Sequence, residues 1–107
     1  MDYGYLSQKL SAARDVLMLP TSSGEADSIV EAFKILRAAF HRMDESGLDG
    51  DARKRVRKLE ELMNTAGLVD PDSVGLWTIK AQLLGTEEKL ELSRCVEALA
   101  HWFRERQ

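Results

Sequence analysis

The run SSGEADSIVEAFKILRAAFHRM, from Ser22 to Met43, is apolar around roughly twice the arc that an ordinary surface helix needs. At about 100° per residue, Ala26, Ile29, Val30, Phe33, Leu36 and Phe40 fall in one stripe. Ala32, Ile35, Ala39 and Met43 continue the apolar surface around the side of the helix. Asp27, Glu31, Lys34, His41, Arg42 and Glu45 take what remains. A helix this wide requires cover on two sides, from its own chain or from a second molecule.

The flanking sequence supplies more helices and no strand signal. Leu, Ala, Glu, Lys and Arg dominate, β-branched residues never alternate over a strand length, and prolines stand only at positions 20 and 71. A first helix is expected over about 2–18, with Tyr3, Leu6, Leu10, Ala13 and Leu17 on one stripe and Pro20 as its stop. Ser22 with Glu25 fits a capping box for the second helix, and Ser23 is an alternative N-cap. A polar, glycine-containing loop over 44–51 leads into a third helix, expected over 51–66. Asp49 or Asp51 caps it, Gly67 closes it, and Ala52, Val56, Leu59, Leu62, Met63 and Ala66 point inward.

Asp70, Pro71 and Asp72 read as a helix start: an N-cap, a first-turn proline and an acid at the positive end of the dipole. The fourth helix is expected from there to Gly85, with Val74, Trp77, Ala81 and Leu84 inward. Leu76 and Leu83 widen that stripe, Ile79 points almost the opposite way, and Lys80 is the lone charge from Val74 to Leu84. Thr86 is expected to cap a fifth helix with Leu92, Cys95, Val96, Leu99, Trp102 and Phe103 inward. The expected fold is all-α: one domain over 1–107, a compact bundle of about five helices with short connections, mostly antiparallel neighbours, and dimeric.

Candidate chemistry is sparse. His41 has Asp44 and Glu45 at helical spacing and His101 has Glu105, but neither has a second His or a Cys there, which is too few ligands for zinc. In the 44–51 loop, setting Gly50 as the sixth residue of an EF-hand puts Gly47 at the third and Val56 at the twelfth, so the calcium pattern fails and an acidic capping turn remains. The single cysteine, Cys95, falls on an apolar face and reads as a small buried hydrophobe. There is no glycine-rich phosphate loop and no nucleophile elbow. No catalytic residue, metal, cofactor or small-molecule ligand is indicated, and no enzyme is expected.

The segment Arg53-Lys54-Arg55-Val56-Arg57-Lys58 is the sharpest local signal. Arg53 with Arg57 and Lys54 with Lys58 are like-charge pairs at i, i+4, and the run begins at the positive end of a helix dipole. Arg53, Lys54, Arg57 and Lys58 are the candidate patch for an anionic partner, an acidic protein surface or nucleic acid. The formal net charge of −3 argues against a dedicated nucleic-acid binder, and the preceding loop is long for a helix-turn-helix.

No stretch approaches the roughly 20 apolar residues of a membrane span, and the start MDYGYLSQKL does not read as a signal peptide. A cytoplasmic location is expected. A chain of 107 residues cannot readily cover two helices as apolar as the second and fourth. The expected function is therefore a protein–protein interaction module. It forms a homodimer and binds a regulatory protein partner, blocking or sequestering it as an antiactivator of a transcription factor does. Helical nucleic-acid binding and a secretion chaperone or adaptor role are the alternatives. The expected interface combines Ala32, Ile35, Ala39 and Met43 with Leu76, Ile79 and Leu83.

Overall fold

The computed structural model describes residues 1–19 and 24–107. It contains α1 (Tyr3–Met18), α2 (Glu25–His41), a 3-10 turn (Glu45–Gly47), α3 (Gly50–Met63), α4 (Leu76–Leu83) and α5 (Thr86–Glu105). The capping box read at Ser22 and Ser23 lies outside the described residues. The radius of gyration is 13.7 Å, close to the about 13 Å of a compact chain this long. Among the described residues, no helix is long and apolar enough to cross a membrane.

The helices pack in an order different from that of the sequence. α1 lies against both α2 and α5, α3 packs on α5, and α4 packs on α2. Among the described helices, α1 and α2 are the one consecutive pair with extensive contact, so the expected packing of consecutive helices against one another does not extend beyond that pair. The core runs through Leu6, Leu10 and Ala13 of α1, Phe33 and Leu36 of α2, Val56 and Leu59 of α3, and Leu92, Val96, Leu99 and Phe103 of α5. Each large side chain buried there contributes about 1.5–3 kcal/mol of transfer free energy.

Local chemistry fixes the helix ends. Asp2 caps α1 by accepting the Tyr5 N–H at 3.0 Å. The acidic loop before α3 is a pair of caps. Asp44 accepts from the Ser46 N–H at 3.0 Å and the Ser46 hydroxyl at 2.7 Å, and Asp49 accepts from the Ala52 N–H at 2.8 Å. Leu48, between them, is buried and anchors the loop. At α5, Gly85 is the N-cap residue, its N–H donating to Glu88 at 3.1 Å, and Thr86 is the first helical residue rather than the cap.

Helix boundaries differ from expectation at three places, the first being the end of α2, at His41 rather than at about Asp44 or Glu45. α3 stops at Met63 because Asn64 turns extended and its side-chain oxygen accepts the Ala66 N–H at 2.9 Å. α4 starts at Leu76, not at Pro71. The Asp70 carboxylate accepts the N–H groups of Val74 and Gly75 at 2.9 and 2.7 Å. That side chain stabilises a loop instead of a first helical turn. Ser73 and Gly75 stand at φ +54° and +102°, which breaks the helical path until Gly75 is passed. Val74, expected inward, is 54% exposed as a result.

The interface expected on α2 also needs correction. Ala32 and Ala39 are fully buried and present no surface to a partner. Ile35 and Met43 are half-buried and pack against the core. Moreover, α4 meets α2 on its Phe33–Arg37 side, where Trp77 contacts both residues. Arg42, which shares the Ile35 flank on the helical wheel, lies 4.5 Å over the Tyr5 ring of α1. Ile35 therefore falls on a different flank of α2 from the one that α4 covers, and Met43 lies past the end of the helix. The wide apolar arc of α2 is covered by α1 on one side and α4 on the other.

Candidate functional site

α4 is a short helix laid on the outside of the bundle. Within it Ala81 is buried and Trp77 is half-buried, which sets the inward direction. On the wheel, Ile79 and Leu83 fall opposite Trp77 and Ala81, and Leu76 lies beside them, about 100° from Trp77. Leu76 is 39% exposed and Leu83 62% exposed, while Ile79 is half-buried. These three residues of the expected interface thus share one outward stripe. Val69 and Val74, in the loop before α4, and Leu90, early in α5, are also exposed. Val74 was hidden from sequence reasoning by the misplaced start of α4.

Trp77 holds α4 in place. Its indole N–H donates to the Met63 carbonyl at 3.1 Å, satisfying one of the free carbonyls at the end of α3. Its ring meets Phe33 edge-on at 5.9 Å, and the Arg37 guanidinium lies 5.2 Å from its centroid. Two open grooves flank this stack. One, of about 500 Å³, is lined by Phe40, His41, Glu60, Met63 and Asn64. The other, of about 470 Å³, is lined by Val30, Lys34, Val74, Leu76 and Thr78. Arg37, Thr65 and Trp77 line both. No pattern in the sequence pointed to these grooves, because they depend on where α4 lands.

The basic run of α3 divides by direction. Arg53, Lys54 and Arg57 are exposed, whereas Arg55 and Lys58 are half-buried. Arg53 donates to the Glu45 carbonyl at 3.0 Å and Lys58 pairs with Glu61 at 3.8 Å. None of the ion pairs among the described residues engages Lys54 or Arg57. The patch is real but narrow, with Glu60 and Glu61 exposed on the same helix.

The groups weighed for chemistry are placed far from one another. Cys95 is buried, and burial first, then the charge of Glu91, pushes its thiol up to about 11. It donates weakly to Glu91 at 3.6 Å. A neutral buried thiol is a poor nucleophile. His101 is exposed and contacts Glu105 at 3.0 Å, and His41 is exposed at the end of α2. Among the described residues, no three His, Cys, Asp or Glu side chains come together as a metal site.

A second aromatic cluster ties the ends of α3 and α5. Trp102 donates its indole N–H to Asp49 at 2.8 Å, Arg106 stacks on Trp102 at 3.7 Å, and Tyr3 tilts against Trp102 and Phe103. Asp49 therefore both caps α3 and receives α5. Compared with known protein families, curated proteins and solved structures, the chain matches none.

Proposed function

We propose that this protein is a small interaction module that associates with itself and with a regulatory protein partner, which it blocks or sequesters. The observation that supports this reading is the outward stripe of α4, where Leu76 and Leu83 remain exposed beside Ile79. Moving such a leucine fully from water into an interface gains about 1.5–3 kcal/mol. Exposed apolar surface of this kind marks contact sites more often than chance placement does. In this reading the partner is held in the cytoplasm by surface burial, and no bond is made or broken.

The test is affinity capture from a nuclease-treated lysate, with the wild type and Leu83→Asp as paired baits. One stoichiometric protein retained by the wild type and lost with Leu83→Asp supports the reading. Identical retention by both baits, or no retention by either, refutes it.

A second reading rests on Lys54 and Arg57, exposed and without an ion-pair partner among the described residues. In it, α3 binds nucleic acid. Retention on duplex DNA should then fall steeply with salt and vanish when Lys54, Arg57 and Lys58 are changed to Glu. Salt-independent retention rules it out.

A further inference from the structure

The ridge of α2 that borders both grooves beside Trp77 carries Lys34, Arg37 and His41, at successive helical spacings of three and four. These positions share one side of the helix and span about 10 Å along it. None of the ion pairs among the described residues uses them. The groove between α2 and α4 has Val30, Val74, Leu76 and Trp77 as its apolar lining and no carboxylate side chain. Its neighbour adds Phe40 and Met63, with Glu60 at one edge. A chain with a net charge of −3 thus places two cations, Lys34 and Arg37, and the imidazole of His41 along a trough lined by apolar and polar groups together. Cations and apolar side chains stand side by side along the trough, which complements an occupant that carries both carboxylates and apolar groups.

We infer that this double groove receives a short segment of a partner protein that combines apolar anchors with carboxylates. The apolar anchors fill the spaces on either side of the Arg37–Trp77 stack, and the carboxylates meet Lys34, Arg37 and His41. An amphipathic helix or an extended strip of this composition provides both sets of groups. The cations set orientation and rate of encounter, and the apolar trough supplies most of the affinity. This inference rests on the interaction-module reading, but it uses a surface that Leu83 does not line.

Two peptides of about 12 residues test it, sharing leucines at helical spacing and differing in glutamate or lysine at the other positions. Each is titrated into the isotopically labelled protein and followed by amide and indole NMR. The chain has two tryptophans, so two indole signals report on two places: Trp77 in the groove and Trp102 at the far α3–α5 tie. The glutamate peptide is expected to shift the Trp77 indole and the amides of Val30, Lys34 and Thr65 while leaving the Trp102 indole in place. It should bind about tenfold more tightly than the lysine peptide, and Lys34→Glu combined with Arg37→Glu should remove that preference. Leu83→Asp should bind the glutamate peptide as the wild type does.

Absence of binding, equal binding of the two peptides, or shifts centred on Lys54 and Arg57 overturns the inference. So does a short DNA duplex that shifts the Trp77 indole where the glutamate peptide does not. Failure here together with partner loss in Leu83→Asp defeats the groove alone. Peptide binding together with undiminished capture by Leu83→Asp defeats the α4 stripe alone.

Discussion

Asp49 joins α3 and α5 through one carboxylate. It accepts the Ala52 N–H at the start of α3, accepts the Trp102 indole from α5, and lies 3.9 Å from Arg106. The Ala52 hydrogen bond first, and the Trp102 bond second, hold its carboxyl below the ordinary value of 3.8. A carboxyl depressed by folding stabilises the fold above its unfolded pKa, and that contribution disappears as pH falls through the folded value. Asn at position 49 keeps one acceptor for the cap but cannot ionise or serve both donors. Asp49→Asn is therefore expected to lower the urea midpoint at about pH 7, and the gap to wild type should close at about pH 2. A pH-independent gap would contradict the assignment. Cys95 makes a second prediction at this scale. With its thiol raised to about 11 and its side chain buried, it should resist a disulfide reagent at neutral pH until urea unfolds the chain. The sequence made Cys95 legible through its place on an apolar stripe. It left the Asp49–Trp102 contact hidden, because the partners are far apart in the chain and meet only once α5 lies on α3.

At the scale of elements, helix existence was legible and helix starts were less so. Periodic apolar residues specify which segments are helical and which face turns inward, and that reading holds for α1 and α5 and for α3 up to Met63, while Ala66, expected inward, lies past the end of α3 and is exposed. It fails at α4 because Asp70 has two competing uses, and its loop hydrogen bonds to Val74 and Gly75 prevail over the N-cap. On α2 the excess apolar width was correctly seen but wrongly allotted. Ala32 and Ala39 suit a close helix contact, and the structure puts them in the core of the chain itself. Wheel position alone cannot tell an intramolecular neighbour from a second molecule. The energetic consequences separate cleanly. Phe33→Ala removes a fully buried ring and the edge contact with Trp77, and should cost about 3–5 kcal/mol. Leu83→Asp alters an exposed side chain and should stay within about 0.5 kcal/mol of wild type. Ile35→Asp, on a side chain packed against the core, should destabilise the fold clearly rather than act on association alone. Chemical denaturation of the three variants measures all of these.

For the whole molecule, the strongest helix contacts run α3–α5–α1–α2–α4, with α1 in the middle, and Trp77 of α4 returns to the end of α3 through its hydrogen bond to Met63. α4 rests on α2 and touches the end of α3 through Trp77, and its opposite side faces outward, which is why it shows leucines that an interior helix would bury. The sequence carried that mismatch as too much apolar helix for a short chain. It could not assign the excess to α4 rather than α2, because the assignment depends on which helix the fold leaves at its edge. The central claim is that the stripe of Leu76, Ile79 and Leu83 is a contact surface, and self-association is its first expected use. Sedimentation velocity of purified wild type and Leu83→Asp over a range of concentrations tests it most directly, with circular dichroism to compare their helix content. The account predicts a dimer for the wild type and a monomer of equal helicity for Leu83→Asp. Indistinguishable sedimentation of the two proteins would contradict it.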